Sequence, residues 1–68
     1  MYFYDIHVFY SRSSGYSFGL TSEIELDEDD AITAAFKQGK FSETGDEDCV
    51  DTVDTMSEQD YIAAYGNY

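Results

Sequence analysis

The stretch Tyr2–Leu26, YFYDIHVFYSRSSGYSFGLTSEIEL, decides the fold. From Tyr2 to Ser11 apolar side chains recur at every second position. Tyr2, Tyr4, Ile6, Val8 and Tyr10 share one face. Phe3, Asp5, His7, Phe9 and Ser11 share the other. A period of two, built from aromatic and β-branched residues, predicts a strand. SRSSG then supplies a turn, with Gly15 expected in a left-handed conformation that closes the loop. Residues 16–26 alternate again, with Tyr16, Phe18, Leu20, Ile24 and Leu26 facing one way. Pairing Tyr10 with Tyr16, Val8 with Phe18 and Ile6 with Leu20 brings the two apolar faces together, so a hairpin is expected.

Downstream, the signals become helical. Asp27 suits an N-cap, and Glu28, Asp29 and Asp30 place negative charge on the positive end of a helix dipole. Ile32, Ala35 and Phe36 predict the buried stripe. Lys37 and Lys40 favour the C-terminal end, Gly39 suits a left-handed cap, and Phe41 is placed to fold back on the last turn. Residues 42–48, SETGDED, read as a loop. In CVDTVDTM the spacing of Val50, Val53 and Met56 would fit a helix. The Val and Thr content, with the poor helix propensity of Asp and Thr, favours a strand over residues 49–56. A short last helix follows, with Ser57 as its cap, Asp60 at the capping-box position and Gly66 as its stop. The expected fold is α+β, ββαβα. It has a three-stranded antiparallel sheet in the order 2-1-3, one main helix on a face and a short C-terminal helix.

Size and composition narrow the function. At 68 residues the chain is one domain, 1–68, with a formal charge of −12 from 15 Asp and Glu against 3 Lys and Arg. Such charge opposes compactness, and a chain this short has little core with which to resist it. Yet 18% of the residues are aromatic, and there is no proline, which argues for folding rather than disorder. One cysteine, Cys49, excludes an internal disulfide and fits a reducing cytoplasm. The opening residues lack the basic start of a secretory signal, and no apolar run reaches the ~20 residues of a membrane span. Direct binding to nucleic acid or to an anionic membrane is disfavoured by the charge.

No catalytic constellation stands out, and the chain reads as a non-enzyme that needs no cofactor. His7 lies beside Asp5 on the outer strand face with no nucleophile placed against it. Cys49 stands among Asp46, Glu47, Asp48 and Asp51, the reverse of the electropositive setting that activates a thiol. Neither DEDD nor DEDCVD has the glycine and terminal glutamate of an EF-hand, so no specific metal site is expected.

The carboxylates themselves remain. Helix capping explains Asp27–Asp30 but not Glu23, Glu25, Glu43, Asp46, Glu47, Asp48, Asp51 and Asp54. Solubility needs a net charge of only roughly 2 to 8 in magnitude in a small domain. On a continuing strand Glu23 and Glu25 would stand ~7 Å apart. That is two phosphate steps of ~3.4 Å along a DNA strand. Through ELDEDD, GDEDCVDTVD, the small single domain and the many tyrosines, the chain resembles the small acidic phage-encoded inhibitors that mimic DNA, the anti-CRISPR and anti-restriction proteins. The resemblance implies a basic nucleic-acid-binding partner, a CRISPR effector or restriction enzyme whose DNA or PAM cleft is blocked. Glu23, Glu25, Glu28, Asp29, Asp30, Glu43, Asp46, Glu47, Asp48, Asp51 and Asp54 would form the contact. An alternative is a phage or plasmid accessory protein that binds a host factor through its aromatic face. Phe3 and Phe9 then become informative. They are either covered by the last helix, making a second small core, or open to a partner. Tyr61 and Tyr65 are expected to pack that helix, and with Tyr68 they are also candidates for such a contact.

Overall fold

The computed structural model describes residues 1–41 and 49–67. Elements follow in the order β1 (Tyr2–Phe9), β2 (Gly15–Ser22), α1 (Glu28–Lys37), β3 (Val50–Met56) and α2 (Glu58–Tyr65). The strands form one antiparallel sheet in the order β2-β1-β3, as the sequence predicts. The expected loop over residues 42–48 lies outside the described residues.

Both faces of β1 are used. Tyr4, Ile6 and Val8 are buried with Leu20 beneath α1, where Ala31 and Ala35 complete the core. The expected stripe of Ile32, Ala35 and Phe36 is turned by about one residue. Ala31 and Ala35 are fully buried, Ile32 and Ala34 are half-buried, and Phe36 is exposed. Alanines let the helix axis approach the bulky strand residues; a phenylalanine in that gap would hold it off. Phe41 folds back as expected, with its ring 6.5 Å from Phe36 and 5.3 Å, edge-on, from Phe18.

The opposite face carries α2. Phe3 is buried there with its ring 5.2 Å from that of Tyr61. Phe9 lies beyond the helix and is exposed, so the two phenylalanines part company. Gly19 makes room for Tyr61: a Cβ at Gly19 would come within 2.8 Å of the Tyr61 ring and hydroxyl.

Local capping matches the sequence closely. The Asp27 side chain accepts from the Asp30 N–H at 2.8 Å, and Ser57 Oγ accepts from the Asp60 N–H at 3.1 Å. Gly39, at φ 68°, ends α1 in a Schellman turn. Its N–H donates to the Phe36 carbonyl, and the Lys40 N–H to that of Ala35, both at 3.1 Å. Gly66, at φ 81°, ends α2.

Three expectations need correction. The β1–β2 register is displaced by two residues: Val8 pairs with Tyr16, Ile6 with Phe18 and Tyr4 with Leu20. An even shift keeps the faces intact. The connection is Tyr10–Ser14, where the Ser14 carbonyl accepts from the N–H groups of Tyr10 and Ser11 at 3.2 and 3.3 Å. Secondly, Gly15 is not left-handed; it lies in the ladder opposite Phe9. A side chain there would collide with the Val8 carbonyl and the Phe9 ring. Thirdly, β2 stops at Ser22 because its partner β1 begins at Tyr2. Glu23 and Glu25 therefore lie beyond the strand, and Ile24 is exposed at 67%.

The strand reading of CVDTVDTM holds, and its helix-like spacing has a cause. His7 pairs with Thr52 but Val8 pairs with Val50, which leaves Asp51 as the extra residue of a β-bulge. The bulge returns Val50 to the same face as Val53, and both pack on the α1 core. Met56, opposite Phe3, lies on the other face.

The fit of Tyr61 over Gly19 makes a test. Gly19→Ala is expected to destabilise the protein by about 1–3 kcal/mol, the usual cost of an overpacked site. In a Tyr61→Ala background the same substitution should cost less than about 0.5 kcal/mol, since the obstruction is gone. Urea unfolding of the four proteins measures the coupling.

Candidate anionic interface

An antiparallel sheet in the order 2-1-3 makes its two outer strands run the same way. β2 and β3 therefore end at one edge of the sheet, and each leads into a helix. Both helix N-termini, with the acidic residues that cap them, gather at that end. Glu23 and Glu25 lie on the connection to α1. Asp27 caps that helix, and Glu28, Asp29 and Asp30 fill its first turn. Across the sheet, Glu58 and Asp60 occupy the first turn of α2. All are exposed.

The connection carrying Glu25 is fixed from below. The buried Tyr4 hydroxyl accepts from the Leu26 N–H at 2.8 Å and reaches the Leu26 carbonyl at 3.3 Å. This one phenol satisfies both backbone groups of a residue outside any element, so the chain entering α1 has a fixed path. Ile24 N–H also donates to Ser22 Oγ, at 3.2 Å. Between Leu26 and the end of β3 lies a cavity of about 280 Å³, lined by Tyr2, Phe3, Tyr4, Glu25, Leu26, Thr55 and Met56.

Asp51 and Asp54 continue the negative charge along β3, the outer strand, and both are exposed. Asp54 stands directly opposite Asp5, a pairing of like charges that opposes the ladder. His7 lies between them, with Nε2 3.2 Å from Asp5 Oδ2 and 3.5 Å from Asp54 Oδ2. The Tyr65 hydroxyl donates to the other Asp5 oxygen and also meets Ser17 Oγ at 3.2 Å. Burial first, and then the bond to Asp5, hold the Tyr65 phenol above the usual tyrosine value. Among the described residues no group of His, Cys, Asp and Glu is arranged to hold a metal ion.

The positive residues lie elsewhere. Arg12 sits in the β1–β2 connection, at the far end of the sheet, and Lys37 is in the last turn of α1, with Lys40 just beyond. Among the described residues the ion pairs are those of His7, so Arg12, Lys37 and Lys40 do not neutralise these carboxylates.

Of the residues expected at the interface, Glu23, Glu25, Glu28, Asp29 and Asp30 come together at one end, and Asp51 and Asp54 run up the neighbouring edge strand. Glu43, Asp46, Glu47 and Asp48 lie outside the described residues. The strand-like ~7 Å spacing of Glu23 and Glu25 does not apply, because both lie past the end of β2. Sequence reasoning assigned Glu58 and Asp60 no part in the interface, although an acidic first turn after a serine cap marks where α2 begins. It also missed the cavity, whose walls come from three separate segments. Among the described residues no helix is long and apolar enough to cross a membrane.

No protein family matches the chain, and no curated protein or solved structure matches it.

Tyr65 supplies a pH test. A phenol whose folded value is raised contributes stability that is fully present below its unfolded value, ~10, and is lost as pH rises through the folded value. Urea midpoints of the wild type should fall as pH rises above ~10. Tyr65→Phe should flatten part of that fall. Parallel curves for the two proteins would show that burial and the Asp5 contact do not raise the Tyr65 phenol in solution.

Proposed function

We propose that this protein is a DNA-mimicking inhibitor, of the anti-CRISPR kind, that occupies the DNA- or PAM-binding cleft of a basic CRISPR effector. The observation that supports this most is the gathering of Glu23, Glu25, Asp27–Asp30, Glu58 and Asp60 at one end of the sheet, the end opposite Arg12, with no ion pair to Arg12, Lys37 or Lys40 among the described residues. Carboxylates on capped helix turns and on a strand are held in place, without the freedom of an acidic tail. Their attraction for a cationic groove is long-ranged and speeds encounter. The arginines that read a PAM in such effectors are suited to bidentate contact with carboxylate.

A second reading has its own observation. Phe9 and Tyr10 are exposed at the opposite end, next to Tyr16, whose ring is 6.2 Å from that of Tyr10. An accessory protein docking a host factor through this aromatic face would bind by apolar contact, with little dependence on salt.

The two readings separate in a DNA-binding assay with a panel of purified CRISPR effectors. The mimic should prevent target binding by at least one effector, and duplex DNA should displace it. Its affinity should fall by about tenfold or more between 0.1 and 0.5 M salt. Replacing Glu23, Asp29, Asp30, Asp51 and Asp54 with their amides should weaken inhibition by a similar factor, as should replacing Asp46, Glu47 and Asp48. Salt-independent binding that Phe9→Ser abolishes would instead select the aromatic face.

A further inference from the structure

The cavity at the acidic end has a composition that the proposed mimicry does not require. Scattered phosphate-like charge needs no concave site. Its lining joins the aromatic residues Tyr2, Phe3 and Tyr4, the apolar Leu26 and Met56, and Thr55 to one acidic residue, Glu25. At about 280 Å³ it exceeds the ~150 Å³ that holds a benzene ring, so one long side chain fits. Glu25 makes no hydrogen bond or ion pair among the described residues, and Glu23 and Asp27 flank it in sequence. Its position is set by its neighbour Leu26, whose backbone is held by Tyr4 at both N–H and carbonyl.

We infer that this cavity receives one arginine side chain of the partner protein. The inference rests on the cationic partner of the proposed function and names the contact that anchors it. Three features select arginine. The apolar wall accepts a methylene stem, which a phosphate-binding surface ion would not use. An aromatic face attracts a planar, weakly hydrated guanidinium more than a compact ammonium. A carboxylate at the cavity wall can take two parallel N–H bonds from a guanidinium, and only one from lysine in that geometry. An apolar occupant would bury Glu25 without a partner. An anionic one, or nucleic acid, would meet the carboxylates of Glu23, Glu25 and Asp27. A second copy of the chain would bring another formal charge of −12 to the same face.

The test is a ¹H–¹⁵N shift titration of the whole protein with N-acetyl-arginine amide. The lysine analogue and the uncharged, nearly isosteric citrulline analogue serve as comparisons. Arginine should move the amides of Tyr2, Glu25, Leu26 and Met56 most. Lysine should bind about threefold more weakly, and citrulline about tenfold more weakly. Glu25→Gln and Tyr2→Ser, both at exposed positions, should each reduce arginine binding severalfold, whereas Thr33→Ser, at an exposed position of α1, should not. Equal responses to arginine and lysine overturn the assignment, as do shifts spread over Asp29, Asp51 and Asp54 with no maximum at the cavity. Arg12 from another copy filling the cavity would show as concentration-dependent shifts without any probe, and would also overturn it. The outcome is separable from that of the proposed function. Inhibition of an effector that survives Glu25→Gln undiminished removes the anchor and leaves the mimicry. Arginine held in the cavity with no effector inhibited keeps the anchor and removes the mimicry.

Discussion

Everything in this structure depends on β1 being sandwiched edge to edge and face to face. It pairs with β2 on one side and β3 on the other, buries Tyr4, Ile6 and Val8 under α1, and buries Phe3 under α2. No other strand could take that position, because no other is apolar on both faces. Once β1 is central, β2 and β3 must run together and finish at the same edge. Each then hands the chain to a helix, whose free N–H groups call for oxygen acceptors and whose dipole favours negative charge. The acidic end is therefore a consequence of topology acting on two ordinary capping preferences. A sheet in the order 1-2-3 would have sent the two helix starts to opposite ends.

That origin bears on how so small a chain tolerates so much charge. The carboxylates at the helix starts offset part of their mutual repulsion through the N–H groups and dipoles they face. Asp5 and Asp54, which have no such compensation from a helix start, have His7 between them instead, with Tyr65 donating to Asp5. What is left over is the charge at Glu23, Glu25 and Asp51, which serves neither cap nor pair among the described residues. That residue of unexplained charge gives the mimicry proposal its content. Glu25, set beside an apolar cavity by the Tyr4–Leu26 contact, is its most specific member.

Local signals in the sequence carried over well, and long-range ones less so. Asp27, Ser57, Gly39 and Gly66 perform the roles their chemistry suggests because a cap involves only a few consecutive residues. The strand order was legible because Phe3, Tyr4, Ile6 and Val8 mark the one strand with two apolar faces. The hairpin register was not, since alternation fixes faces only modulo two residues and the loop decides the rest. Nor was the alanine stripe of α1, where closeness of approach outranked side-chain hydrophobicity. The three-residue spacing of Val50 and Val53 looked helical because a bulge at Asp51 cannot be read from one strand alone. Pocket walls drawn from residues 2–4, 25–26 and 55–56 leave no pattern along the chain at all.

Among the described residues, this topology gathers carboxylates at the end where both helices begin, and negative potential should be strongest there. Relaxation enhancement of amide protons by cationic and anionic nitroxide cosolutes measures the potential residue by residue. Among the described residues, the most negative values are expected at Glu23–Asp30 and Ser57–Asp60, with markedly weaker ones at the Tyr10–Ser14 connection. A potential of equal size at the two ends of the sheet would contradict it.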